Sequence, residues 1–90
     1  MYFQDFHFGE YSGVNDAWMD IISSQGSSVL SVDISGSDVS DDGLMHLRNC
    51  SNLQSLDLNF CEQISDQGLA HIGGIYPIIF NLILVLVHGE

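Results

Sequence analysis

Apolar positions along the chain recur in a fixed spacing. Phe3-x-x-Phe6-x-Phe8-x-x-Tyr11-x-x-Val14 opens the series, and Val29-x-x-Val32-x-Ile34-x-x-Ser37-x-Val39 follows. Leu53-x-x-Leu56-x-Leu58-x-x-Cys61-x-x-Ile64 repeats it again. The alternation in each (Phe6/Phe8, Val32/Ile34, Leu56/Leu58) has the two-residue period of a strand with one buried face. A helical period comes next: Met19/Ile22, Leu44/Leu47 and Leu69/Ile72 are i, i+3 pairs on one helix face. Each unit therefore predicts a strand, a turn and a short helix. Asn15, Ser40 and Ser65 stand at the predicted helix starts as N-caps. Asp16, Asp41 and Asp66 follow in the first turns, where a negative charge suits the helix dipole. Gly43 and Gly68 weaken helix propensity, so they are expected where helix and strand approach too closely for a side chain.

The residues repeat as well as the spacing. Ser31-Val32-Asp33-Ile34 returns as Ser55-Leu56-Asp57-Leu58, and Val39-Ser40-Asp41-Asp42-Gly43-Leu44 as Ile64-Ser65-Asp66-Gln67-Gly68-Leu69. The offset passes from 24 to 25, which places a one-residue insertion near Glu62 or Gln63. Periods of this length belong to leucine-rich repeats. The expected fold is an α/β leucine-rich-repeat solenoid fragment, with parallel strands on the concave side and short helices on the convex side. About three repeats, starting near Phe3, Val29 and Leu53, fill residues 1–74.

Residues 75–90 differ. Ile75 to Val87 carries no charge and is almost wholly aliphatic. Three readings fit it. Ile79-x-x-Leu82-x-Leu84-x-x-Val87 matches the strand template of a fourth repeat. The segment also reads as an end foreign to the repeat. As a membrane segment it falls short of the roughly 20 residues needed to span. If exposed, Leu82 to Val87 is β-prone and prone to aggregate.

Composition narrows the functional classes. The 90 residues carry twelve acidic side chains, one arginine (Arg48) and no lysine, for a net charge of -11. One arginine cannot neutralise a phosphate backbone or an anionic membrane surface, so nucleic acid and membrane are poor partners. The chain is 46% hydrophobic, too apolar for an acidic disordered tail. Two cysteines do not make a disulfide framework, and the N-terminus lacks a secretory pattern, so a cytoplasmic or nuclear setting is expected.

Outward strand positions stack into rows across the sheet. The central row is His7, Asp33, Asp57, flanked by Asp5, Ser31, Ser55 on one side and Gly9, Ser35, Asn59 on the other. Asp5, His7, Ser31, Asp33, Ser35, Ser55, Asp57 and Asn59 thus form the candidate partner-binding face. Adjacent strands lie roughly 4.8 Å apart, so Asp33 and Asp57 are like charges side by side, suited to a basic partner segment. Cys50, Cys61, His46 and His71 lack metal-ligand spacing. Repeat register places Cys61 in a turn and Cys50 at a helix end, each as a small buried group. Trp18 is expected in core packing, the histidines at the surface or at helix ends, and Gly73-Gly74 at the end of a helix. No nucleophile elbow or phosphate loop is recognisable, so neither an enzyme nor a cofactor is expected.

The run from Cys50-Ser51-Asn52-Leu53 through Leu56-Asp57-Leu58-Asn59-Phe60-Cys61 to Ile64-Ser65-Asp66-Gln67-Gly68-Leu69 resembles the cysteine-containing repeat of F-box/LRR proteins. Gly9-Glu10-Tyr11 through Val14-Asn15-Asp16-Ala17-Trp18-Met19-Asp20 to Gly36-Ser37-Asp38-Val39 looks like plant members of that family. The resemblance runs from about Phe3 to Gly74. It implies the substrate-recognition repeats of an SCF-type ubiquitin ligase. In that family an F-box N-terminal to the repeats docks the Skp adaptor, and no segment of this chain reads as one, so Skp binding is not expected. The alternative expectation is a truncated structural fragment without a ligase role, membrane-associated through its tail. As a stack without polar caps, the chain is also expected to associate.

Overall fold

Alternating side chains put one face of each strand into a common core, and the repeat sets strand beside strand in chain order. The computed structural model describes residues 2–9, 11–75 and 82–83, with side chains through residue 72. The elements are β1 (Gln4–His7), α1 (Asp16–Ser23), β2 (Val29–Asp33), α2 (Asp41–Met45), β3 (Ser55–Asp57), α3 (Asp66–Ile75) and β4 (Leu82–Ile83). Short 3-10 turns, Gly26–Ser28 and His46–Asn49, follow the first two helices. The strands form one parallel sheet in the order β1-β2-β3-β4. The architecture is thus a stack of strand–helix units, with parallel strands in one layer and short helices in the other, as the repeat predicts.

Register follows the repeat. Phe6 pairs with Val32 and Val32 with Leu56, while His7 pairs with Asp33 and Asp33 with Asp57. Leu56 pairs with Leu82 and Asp57 with Ile83, so β4 takes the place of a fourth strand at the template position of Leu82. The rest of the tail, residues 76–81 and 84–90, lies outside the described residues. Beyond the strands, the Ile34 amide donates to Asp57 O at 3.1 Å and the Gly36 amide to Asn59 O at 2.7 Å. These bonds tie each turn to the next repeat.

The core lies between sheet and helices. Val32, Ile34, Leu56 and Leu58 from the strand segments meet Met19, Ile22, Leu44, Leu47 and Ile72 from the helical side. Each such side chain contributes roughly 1.5–3 kcal/mol on burial. Cys50 and Cys61 are fully buried and neither is in a disulfide. The Cys61 thiol donates to Ile34 O at 3.0 Å and stands 3.6 Å from Ser37 Oγ, so it joins successive turns.

The helix starts depart from expectation in an informative way. Asn15 caps α1 by accepting from the Ala17 amide at 3.0 Å. Ser40 does not cap its own helix with its side chain. Its amide and hydroxyl instead donate to the Asp16 carboxylate of the preceding repeat, at 2.7 and 2.6 Å. Ser65 repeats this toward Asp41, at 2.9 and 2.5 Å, and also accepts weakly from the Gln67 amide at 3.2 Å. Asp16 and Asp41 are thus rungs between helices as well as first-turn acids. The same rungs explain the glycines. A Cβ on Gly43 would overlap Asp16 Oδ1, and one on Gly68 would overlap Asp41 Oδ1. The close approach is to the neighbouring repeat's carboxylate, not to the strand. Gly73-Gly74 also differs: α3 runs to Ile75, so the pair lies within its last turn.

Trp18 packs against the core only in part. It meets Phe8 edge-on at 5.1 Å and Tyr11 at 6.3 Å, and Phe8 meets Phe6 at 5.8 Å.

Candidate functional site: the concave face

The sheet's outward face gathers the side chains that alternation directs away from the core. His7, Asp33 and Asp57 lie in one row of directly paired residues, and Asp5, Ser31 and Ser55 in the next. Ser35 and Asn59 follow Asp33 and Asp57 by two residues, at the ends of β2 and β3. All eight candidate residues therefore come to one surface. His7, Ser31, Val32, Asp33, Ser55 and Asp57 line a shallow concavity of about 180 Å³. Val32 at its floor was not singled out from the sequence, because its alternation marks it as core, and it is 1% exposed.

Local bonds hold the carboxylates in place. Asp33 Oδ1 accepts from the Ser35 amide at 3.0 Å, and Asp57 Oδ1 accepts from the Asn59 amide at 3.0 Å. The second oxygen of each has no hydrogen-bond partner among the described residues, which leaves it able to accept from a ligand. Both aspartates are half-buried. Gly9 lies against this arrangement: a Cβ there would stand 2.5 Å from Ser35 Oγ and 2.9 Å from Asp33 Oδ1. At the row's other side the Ser31 hydroxyl donates to Asp5 Oδ1 at 2.7 Å.

Among the described residues no lysine or arginine answers these charges on the concave side. Arg48 sits in the 3-10 turn after α2, and His7 is a member of the row itself. His46 faces Asp20 across the helix layer at 3.8 Å, and His71 is an exposed residue of α3; neither belongs to the concave face. Among the described residues no three metal-ligating side chains come together. Burial pushes the Cys50 thiol above its ordinary pKa, the reverse of an activated nucleophile. Among the described residues no helix is long and apolar enough to cross a membrane. The surface is thus equipped for recognition by charge and hydrogen bonding.

The aromatic cluster around Phe8 and the Asp–Ser rungs are the features that reading each repeat separately missed. Their signal is in the columns: Trp18 falls at the position of Gly43 and Gly68, and Asp16 at that of Asp41. A family model described as Leucine Rich repeat matches residues 27–47 and 49–73. These two matches span the second and third strand–helix units.

Proposed function

The chain belongs to the leucine-rich-repeat family, and on that premise we propose that its concave face binds a protein partner through a basic segment. Leucine-rich repeats are protein-interaction modules, and the observation that carries the finer reading is the Asp33–Asp57 pair. Two carboxylates, each fixed by an amide two residues on, stand side by side in a concavity. A lysine or arginine reaching between them relieves their mutual repulsion while gaining two acceptors.

Sequence resemblance to F-box/LRR proteins supports a role as substrate-recognition repeats of an SCF-type ubiquitin ligase. In that role residues 1–90 supply substrate contacts and no Skp-docking element. Unbridged Cys50 and Cys61 favour a reducing cytoplasmic or nuclear setting.

Titration of the full chain with a Lys/Arg-rich peptide and an acidic control tests the binding reading. Exposed ion pairs are worth about 0.2–1 kcal/mol each. D33N/D57N is therefore expected to weaken the basic peptide about fivefold, and raising salt from about 20 to 200 mM to do likewise. Equal affinity of parent and double variant would refute it. Ubiquitylation of a co-purified substrate by a reconstituted ligase, lost on deleting these repeats, tests the ligase role separately.

A further inference from the structure

Among the described residues, Phe60 is the one non-glycine with a left-handed backbone, at φ 61°. A side chain is disfavoured there, because its Cβ crowds the following carbonyl oxygen. Gly36, at the matching position one repeat earlier, takes the same conformation at φ 71°, and a Cβ on it would meet nothing within 4 Å. This turn therefore favours glycine through its dihedral angles and not through crowding. Bonds on both sides hold Phe60 in that conformation. The Asn59 amide donates to Asp57 Oδ1 at 3.0 Å, and Asn59 O accepts from the Gly36 amide at 2.7 Å. The Cys61 amide donates to Leu58 O at 3.2 Å, and its thiol to Ile34 O at 3.0 Å.

The ring gains little inside the chain in return. It is 65% exposed, stands outside the core cluster and meets no other ring among the described residues. A strained residue that its surroundings hold in place, with no packing of its own to offset the strain, points to a role outside the fold. Its position says which role. Phe60 directly follows Asn59 and stands three residues after Asp57, which lines the concavity. At about 3.3 Å per residue it lies within roughly 10 Å of that carboxylate along the chain.

We propose that Phe60 receives an apolar side chain of the protein partner, set about three residues from the lysine or arginine that meets Asp33 and Asp57. The cationic half of this epitope rests on the concave-face reading above; the apolar half rests on Phe60. Charge selects the occupant. The half-buried carboxylates beside Phe60 draw a basic segment and repel an acidic one. A second copy of this chain, at a net charge of -11, is therefore a poor occupant. An extended segment advances about 3.3 Å per residue, so one residue reaches the aspartates while another about three positions away covers the ring.

The test titrates the full chain with two Lys/Arg-rich peptides. One carries a leucine three positions from its central arginine; the other has serine in its place. Binding is read by fluorescence anisotropy, and melting by circular dichroism. The parent should bind the leucine peptide about fivefold more tightly. F60N should abolish that preference, leave the serine peptide's affinity unchanged and melt no lower than the parent, while Phe60→Tyr should keep the preference. D33N/D57N should weaken both peptides and preserve their ratio. Equal affinity of the parent for the two peptides, a preference that survives in F60N, or an F60N chain that melts below the parent would each overturn the proposal. A leucine preference that needs Phe60 alongside indifference to D33N/D57N would refute the concave-face reading and keep the Phe60 contact.

Discussion

Replacing Gly68 with alanine sets two effects of opposite sign against each other. Alanine in a helix interior is favoured over glycine by about 1 kcal/mol. The added Cβ would overlap Asp41 Oδ1 and stand 2.7 Å from its Cγ. The carboxylate must then leave Ser65, forfeiting bonds of 2.9 Å to the amide and 2.5 Å to the hydroxyl. Hydrogen bonds to a charged group are worth about 1.5–3 kcal/mol. Asp41 is half-buried, so solvent takes up part of that and about 2–3 kcal/mol for the pair is reasonable. G68A alone should therefore destabilise by about 1–2 kcal/mol, lowering the melting temperature by roughly 10 °C.

In a D41A background the bonds are already gone and so are the overlapping atoms. Only the residue-41 Cβ remains near, at 3.2 Å, and the helix preference of alanine is free to act. G68A should then be neutral or stabilising by up to about 1 kcal/mol. The reversal of sign is the signature, with a coupling of about 2 kcal/mol in the double-mutant cycle. Urea unfolding of the four chains, followed by far-ultraviolet circular dichroism, measures it, provided the slopes agree. An equal cost of G68A in both backgrounds would show that the glycine is required for some other reason. The Gly43 joint supplies an internal contrast. A Cβ there also meets Val39 Cγ1 at 2.8 Å, so D16A should rescue G43A less completely.

Two further outcomes follow from burial and backbone geometry. Desolvation raises the Cys50 thiol above 9.0, so the folded chain keeps this proton where the unfolded chain loses it. Stability should fall as pH rises above about 9 and level off once the folded thiol ionises; Cys50→Ala should remove that part of the slope, and an unchanged slope would refute the assignment. Phe60 has φ 61° although its side chain is 65% exposed, and Gly36 has φ 71° at the matching position of the preceding repeat. Asparagine tolerates this left-handed backbone better, so F60N should raise stability by about 0.5 kcal/mol and the melting temperature by 2–4 °C or so; a loss above about 1 kcal/mol would show that the ring contributes packing.

Strands, register and the concave row were legible because their cause is local. A two-residue period sorts inward from outward positions, and a repeated sequence brings equal positions side by side. The function of Ser40, Gly43 and Gly68 was not legible from one repeat at a time. Ser40 looks like a cap because serine usually satisfies its own helix's amides, yet a carboxylate 24 residues earlier takes both its donors. Gly43 looks like a helix defect because propensity considers only its own helix, while the space it leaves is filled by Asp16. Gly73-Gly74 looks like a stop for the same reason, but α3 continues to Ile75 and Ile72 before the pair is 1% exposed. Tertiary packing outweighs the propensity of that turn. In a solenoid the decisive neighbour of a helix residue is often one period away, so the informative comparison runs down the columns. Asp16 against Ser40 and Gly43, and Asp41 against Ser65 and Gly68, form the same joint twice. Two of the twelve acidic side chains, Asp16 and Asp41, belong to that joint, while Asp33 and Asp57 are the pair on the concave face whose second oxygens a ligand can reach.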